Sequence, residues 1–256
     1  MIIDGADGRD EFEIQDPAGV VIPNISPSLK ITDESAAAKV LQRLVHLSKY
    51  SNILALDNFN TASPLARRIS VEIYSLQKGF ETGDKPMLTG LKAAADGTYT
   101  ITSGLPLVFR IRNDSDSTLN VTALDLAPDW EISQIYPTAA DFFSIDAGKF
   151  EDVFLTPSLP NGYKLGTDVL KVFGTLGASS FRPLLLPPLD QMPVTRRGDV
   201  TRGIPGELDK FLSAMTDETS VTRALTPNVN ASYEWTTTAV QVQIRASNLV
   251  CHIALT

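Results

Sequence analysis

Short stretches in which apolar and polar residues alternate run through the middle of the chain and constrain its fold more than any other feature. The alternation is clear at 69–74 and 107–112, and it recurs at 119–136, 153–155 and 169–173. A period of two residues is typical of strands with one buried face. Turn-forming pairs such as Asp96-Gly97 and Asn161-Gly162 separate the stretches. The pattern therefore predicts a mainly β module, an antiparallel β-sandwich or open barrel, over residues 65–186.

The residues before this module predict a tail, a linker and a helical segment. Residues 1–32 combine an acidic start with several prolines, which predicts an acidic tail and an extended Pro-rich linker. Residues 33–58 show helical spacing, which predicts one or two helices that begin at an Asp33 N-cap and pack on the β module. The predicted apolar stripe of this segment comprises Ala37, Val40, Leu41, Leu44, Val45 and Ser48.

Residues 187–256 predict a Pro-rich connector, a short helix and C-terminal strands. The helix is expected at 207–215, where apolar side chains recur at helical spacing. One or two strands are expected within 233–253. The buried candidates there are Trp235, Val240, Val242 and Ile244.

The bulk composition excludes several classes of function. The formal net charge of the 256 residues is −8, and an acidic surface repels nucleic acid. The single cysteine excludes an internal disulfide framework and a Cys-based zinc site. The sequence has neither a secretory signal pattern nor an apolar run of about 18 residues, so we expect a cytoplasmic protein without a membrane partner. We predict no cofactor.

The segment NDSDST offers the most specific chemical motif. Asp114, Asp116 and Thr118 match the D-x-D-x-T pattern of haloacid-dehalogenase-type phosphatases, which use magnesium. That chemistry needs a parallel α/β sheet, and no alternation of strands and helices surrounds the motif. We therefore interpret NDSDST as a polar hairpin turn, in which Asn, Asp and Ser side chains bond to the backbone.

Cys251 and His252 resemble a cysteine-protease dyad only in their residue types. Adjacent side chains of a strand point to opposite faces, so the two cannot bond as nucleophile and base. His46 lies among apolar residues of the predicted helix and is interpreted as a partly buried structural residue. We predict a structural role for all three and no catalytic residue.

Several carboxylates in the β module could in principle supply calcium ligands. These are Asp125, Asp129, Asp141, Asp146, Glu151 and Asp152. None lies in a dense ligand pattern of the EF-hand type, so we predict a solvated acidic rim and no metal site.

The densest aromatic group offers a possible interaction surface. It consists of Trp130, Tyr136, Phe142 and Phe143. In a β domain such residues are usually core or strand-end packing, which is our preferred interpretation. A partly exposed cluster would instead be an interaction surface.

An ordered series of Pro, Gly and aromatic landmarks between Ile14 and Gln191 carries a family resemblance. It includes the segments IQDPAGVVIPNISPSLK, LDNFNTASPLARRISVEI, LNVTALDLAPDWEISQIYP, LPNGYKLGTDVLKVFGT and FRPLLLPPLDQ. This succession resembles the region C-terminal to the protease domain in caspase-like, metacaspase-related proteins. The segments PGELDKFLSAM and YEWTTTAVQVQI resemble that region more loosely.

The resemblance implies a non-catalytic regulatory, docking or ligand-recognition module. Its expected partner is a caspase-like protease domain, in the same polypeptide or in trans. In such proteins the catalytic domain precedes this module, so no catalytic residue is carried over and we expect no enzymatic activity. The chain is then expected to be a fragment, a processed product or a separately expressed module.

An alternative hypothesis makes the chain a substrate or effector of such a protease. Arg196, Arg197 and Arg202 lie in the Gly/Pro-rich connector, and the predicted cleavage region is 190–203. Loops of this composition are readily cleaved.

Overall fold

The computed structural model of the protein describes residues 10–76, 87–191, 208, 212 and 234–247. Two short strands, β1 (Glu11–Phe12) and β2 (Leu29–Lys30), pair before the helix α1 (Ala36–Ala55). The strands that follow are β3 (Ile69–Leu76), β4 (Leu88–Gly90), β5 (Thr98–Thr102), β6 (Leu107–Asn113), β7 (Leu119–Leu126), β8 (Ile132–Tyr136), β9 (Phe143–Ile145), β10 (Phe150–Leu155), β11 (Leu165–Thr175) and β12 (Trp235–Arg245).

These strands form two main sheets that pack as a sandwich, which confirms the predicted mainly β class and excludes a closed barrel. One sheet has the strand order β10-β6-β3-β4. The other has the order β5-β12-β11-β7-β8, and β9 pairs with β7. The pairs are antiparallel except β5 with β12, which is parallel. Consecutive strands β6 and β7 lie in different sheets, so the chain crosses the sandwich between them.

The inward faces of the two sheets form the main core. The four-stranded sheet contributes Ile69, Ile73, Leu107, Phe109, Ile111 and Val153, and the six-stranded sheet contributes Leu119, Val121, Ala123, Leu170, Val172, Val242 and Ile244. The Ile69 side chain packs directly on the backbone of Gly174, where a Cβ atom would lie 2.2 Å from Cδ1 of Ile69. A larger residue at this position would require the Ile69 side chain to move.

The second face of the six-stranded sheet packs against α1 and the segment after β11. This second core contains Tyr50, Ile53 and Leu56 from the helical region, and Leu124, Leu126, Phe173 and Trp235 from the sheet. Phe181 stacks on Phe173 with ring centroids 4.3 Å apart. Leu208 and Leu212, both helical and buried, join the same core. The remaining residues of the predicted 207–215 helix lie outside the described part of the chain.

The predicted helix is present, but its N-cap and its buried face differ from the prediction. One continuous helix is present, and its N-cap is Ser35 where Asp33 was predicted. The Asp33 carboxylate instead accepts hydrogen bonds from the Ser35 backbone N–H and hydroxyl. Of the predicted stripe only Val40 is buried, whereas Leu41 is 63% exposed. The buried face is Ala36, Val40, Arg43, Leu47, Tyr50 and Ile53.

Polar side chains on the buried helix face explain this difference, because partners distant in sequence satisfy them. The Arg43 guanidinium forms a bidentate ion pair with Asp190 and also donates to the Pro27 carbonyl. The Tyr50 hydroxyl donates to the Ala127 carbonyl at 3.2 Å. Buried polar groups are stable only with such partners, and residue spacing within the helix does not reveal them.

The C-terminal strand prediction is confirmed by β12. Trp235, Val242 and Ile244 are buried, and Val240 packs against the main core. The strand pairs with β11 over eleven residues and lies between β11 and β5. The six-stranded sheet therefore includes a strand that lies beyond residue 186.

Lys171 connects β11 to the end of the helix. Its side chain is 3% exposed, and its Nζ donates to the Leu54 carbonyl at 2.8 Å. Leu54 lies in the last turn of α1, where carbonyl groups lack helical partners and a cation is favoured. Burial lowers the pKa of Lys171 to about 8, although the charge of Asp57 opposes the shift.

We predict that replacement of Lys171 by Met changes the pH dependence of stability above neutrality. The folded protein releases the lysine proton near pH 8, while the unfolded chain holds it until about pH 10.4. Wild-type stability should therefore rise relative to Lys171→Met between about pH 8 and pH 10, by on the order of 2 kcal/mol. Urea unfolding of both proteins across this range measures the difference. Parallel stability curves would contradict the assignment.

Candidate functional site

A buried carboxylate, Asp168, and a half-buried one, Asp125, lie on the inward face of the six-stranded sheet. Asp125 is on β7, and its partner across the ladder is Leu170 of β11. Asp168 lies two residues before Leu170 and therefore faces the same side as Asp125. Asp168 is 8% exposed. The Oδ1 atom of each carboxylate is buried and has no hydrogen-bond partner among the described residues.

The two carboxylates line a cavity of about 160 Å³ at one end of the sandwich. Both sheets contribute to its walls, which are mainly apolar. They include Ile73, Leu107, Ile101, Leu170, Val242 and Ile244. Thr156, Pro157 and Ser158, which follow β10, complete the lining. The cavity thus has aliphatic walls and one strongly polar region.

The surroundings of the pair disfavour its charged form. Burial raises the pKa of Asp168 well above its ordinary value, and the charges of Asp125 and Asp129 add to the shift. Burial likewise raises the pKa of Asp125, with contributions from Glu131 and Asp129. Four carboxylates therefore act on one end of the sandwich, and the pair retains protons that ordinary aspartates release.

A second candidate site is the outward face of the four-stranded sheet. Alternate residues of β10, β6 and β3 point away from the core, and three large rings lie among them. Phe150 is 46% exposed and Phe154 is 54% exposed. The third ring, Tyr74, is half-buried and donates its hydroxyl proton to Glu72. We call Tyr74, Arg110, Phe150, Asp152 and Phe154 the aromatic face.

Arg110 lies at the centre of the aromatic face. Its guanidinium carbon is 4.0 Å from the Phe150 ring centroid and 4.9 Å from the Tyr74 centroid. Two parallel hydrogen bonds to Asp152, of 2.6 and 2.8 Å, fix its plane. Arginine combines cation–π stacking and bidentate carboxylate binding in this way because its guanidinium is planar. These contacts hold the Arg110 side chain in one orientation.

The four aromatic residues predicted as one cluster form two separate groups. Trp130 packs against Tyr50 of the helix with centroids 5.0 Å apart, in the second core. Tyr136 packs edge-on against Phe143 at 5.7 Å. Phe142 is half-buried, and Phe143 is 43% exposed. The interpretation as packing fits Trp130 and Tyr136, and the four do not form one continuous surface.

The NDSDST segment is a polar turn, but it joins the two sheets and is not a hairpin. The Asn113 amide donates to the Ser117 and Ile145 carbonyls, and its oxygen accepts from Ser115. Asp114 accepts a hydrogen bond from Ser70 and pairs with Arg112 at 3.0 Å. Strand β6, which precedes the turn, has antiparallel partners on both edges. The parallel sheet that the phosphatase chemistry needs is therefore not the setting of Asp114 and Asp116.

Of the remaining predicted site residues, His46 makes a structural contact, and the others lie outside the described part of the chain. His46 is half-buried, and its Nε2 lies 2.8 Å from the Trp130 carbonyl oxygen. Cys251 and His252 lie outside the described residues. So do the three arginines of the predicted cleavage region, Arg196, Arg197 and Arg202, and these interpretations stay predictions.

The predicted solvated acidic rim is present only in part, because Asp146 is exposed whereas the other members are half-buried, namely Asp125, Asp129, Asp141, Glu151 and Asp152. Asp152 pairs with Arg110, Asp141 pairs with Arg182, and Asp146 accepts from Thr118. Asp125 instead faces the cavity. Within the part of the chain that the structure describes, no group of three or more His, Cys, Asp or Glu side chains is arranged to hold a metal ion.

Sequence reasoning missed Asp168 and the role of Asp125, although a signal for Asp125 was present. In LNVTALDL the residues Leu119, Val121, Ala123 and Asp125 share one face of a strand. Three of the four are fully buried apolar residues. A charged residue at the fourth inward position therefore indicated an unusual site.

The comparisons with known proteins give no family. No family model and no curated protein matches the chain. Among solved structures, the archaeal flagellum of Methanospirillum hungatei strain JF1 is similar at 14% identity, with a TM-score of 0.25. The match covers 56% of this chain and 79% of that chain. A likeness at this level carries no argument about fold or function.

Among the described residues no helix is both long and apolar enough to cross a membrane.

We predict that replacement of Asp168 by Asn removes a pH-dependent loss of stability. The folded protein holds a proton on the pair that the unfolded chain releases near pH 3.9. Wild-type stability should therefore fall relative to Asp168→Asn as the pH rises from about 4 through neutrality, by on the order of 2 kcal/mol.

Urea unfolding over this pH range measures the effect. Asp116→Asn is the matched control, because Asp116 is exposed in the turn between the sheets. The control should follow the wild-type curve. If Asp168→Asn also follows that curve, the carboxylate pair does not carry the extra proton.

Proposed function

We infer that the chain is a non-catalytic docking module of a caspase-like protease system. Its proposed partner is the caspase-like protease domain, in the same polypeptide or in trans, and the aromatic face is the proposed contact surface. The identity of the partner rests on the sequence resemblance. The observation that supports docking is the aromatic face itself.

The composition of the aromatic face suits a protein interface. Aromatic residues and arginine are enriched where proteins bind one another, and they supply most of the binding energy. Here Phe150 and Phe154 present about half of their surface to solvent, next to an ordered arginine. Little side-chain freedom remains for Arg110 to lose on binding, which lowers the entropic cost of association.

The difference between the two outer faces of the sandwich also supports this choice. The outer face of the six-stranded sheet packs against α1 and forms the second core. The outer face of the four-stranded sheet instead carries partly exposed aromatic rings. Exposed groups of large apolar residues commonly mark interaction sites.

The contacts of the candidate catalytic side chains support a non-catalytic role. His46 bonds to a backbone carbonyl, and Asp114 is engaged by a serine and an arginine. Both therefore act within the fold. We also propose that the protein is cytoplasmic and that docking affects protease activity.

We predict that the double substitution Phe150→Ala and Phe154→Ala weakens binding to a purified caspase-like domain of the same organism. Loss of two interface aromatics should lower affinity by about thirtyfold to several hundredfold, since each such side chain contributes about 1–2 kcal/mol. Isothermal titration calorimetry measures the dissociation constants.

Phe59→Ala is the matched control, because Phe59 is 78% exposed and lies outside the aromatic face. Its affinity should equal that of the wild type, and the thermal unfolding midpoints of all three proteins establish that they fold. Equal affinity for the double variant and the wild type would contradict docking on this face. Absence of wild-type binding would contradict the proposed partner.

A further inference from the structure

The cavity at the end of the sandwich has the form of a binding site, and this site is distinct from the aromatic face. Along β7 and β11 the other inward residues are apolar, including Val121, Ala123, Leu170 and Val172. Asp125 and Asp168 interrupt this series at adjacent positions. A sandwich core needs no carboxylate there, and the burial of one costs free energy unless it is paired.

The unpartnered oxygens indicate what is missing. Within the part of the chain that the structure describes, Oδ1 of Asp125 and Oδ1 of Asp168 are buried without a donor, whereas buried polar atoms in proteins nearly always have one. Lys171, the charged residue next along β11, shows the ordinary situation, because its Nζ bonds to the Leu54 carbonyl. A ligand that brings N–H donors into the cavity would satisfy both oxygens.

The chemistry of the lining selects the class of ligand. Asp125 and Asp168 form an acidic region together with Asp129 and Glu131, whose charges act on the pair. This acidic region repels anions. A neutral apolar ligand would leave both oxygens without donors. A divalent cation needs more oxygen ligands than two side chains supply, and the described residues offer no group of three or more carboxylate, His or Cys ligands. Organic cations satisfy both the acidic region and the aliphatic walls.

We propose that the cavity binds an organic cation whose ammonium or guanidinium head pairs with Asp125 and Asp168 and whose short aliphatic chain lies against the walls. The cavity volume of about 160 Å³ limits the size of the ligand. A cavity of roughly 150 Å³ accommodates a molecule the size of benzene. The cavity therefore suits a head group with about four carbons, as in a lysine or arginine side chain or a small free amine.

The test measures the binding of matched small probes to the full chain. Each probe is titrated into the protein, and nuclear magnetic resonance monitors the binding. The probes are n-butylammonium, n-butylguanidinium and the neutral n-butanol. We expect the two cations to bind at least about tenfold more tightly than n-butanol, since a charge-assisted hydrogen bond contributes about 1.5–3 kcal/mol. Resonances of Ile73, Leu170 and Val242 in the cavity walls should shift.

Variants make the result specific to the carboxylate pair. Asp168→Asn and Asp125→Asn should each reduce cation affinity by at least about tenfold, and Asp116→Asn should leave it unchanged. The unfolding midpoint of each variant, measured under the binding conditions, establishes that a lost signal is not lost folding. Equal binding of n-butanol and the cations, or unchanged cation binding in both cavity variants, would overturn the proposal.

Peptide probes distinguish the two sources of the cation. Capped peptides with one internal lysine or arginine are compared with a norleucine counterpart. Binding of the basic peptides supports a side chain of a protein as the natural ligand, and binding of the free cations alone supports a small amine. Binding of neither class overturns the proposal. The proposal is independent of docking on the aromatic face, because the Phe150→Ala and Phe154→Ala variant should bind n-butylammonium normally.

Discussion

Strand β11 holds the layers of the molecule together, because it is paired on both edges and buried on both faces. It pairs with β12 over its whole length and with β7 over seven residues. Leu170 and Val172 enter the core between the sheets, while Phe173 enters the core beneath the helix. Both cores thus depend on one strand. A strand in this position is normally a continuous apolar run, so its two charged residues, Asp168 and Lys171, carry information.

The two charges of β11 have different explanations. Lys171 is satisfied within the fold by the end of α1, and its role is structural. Asp168 has a buried oxygen without a donor, and a second carboxylate raises its pKa further. A fold that gives Lys171 a hydrogen-bond partner and leaves the Asp168 carboxyl oxygen without a donor points to an external partner for Asp168. The aromatic face differs again, because there Arg110 and Asp152 satisfy each other, and Phe150 and Phe154 remain about half exposed.

Local patterns in the sequence predicted the strands, and contacts between distant residues decided the rest. Alternation at 69–74 and 107–112 correctly predicted β3 and β6, and the side chains of Asn113 and Ser115 form the predicted turn. The helix face was wrong because Arg43 finds its partner 147 residues away at Asp190. The aromatic face was not predicted, since register between β10, β6 and β3 brings its members together. Spacing along one strand contains no information about that register.

The proposed docking places the protein partner on the four-stranded sheet and not on the helix. Hydrogen–deuterium exchange of the chain with and without a caspase-like protease domain tests this claim directly. Strand β10 lies at an edge of its sheet, so its amide protection is sensitive to a partner on this surface. We predict slower exchange in β10 and β6 in the complex and unchanged exchange in α1. Protection confined to α1, with β10 unchanged, would contradict it.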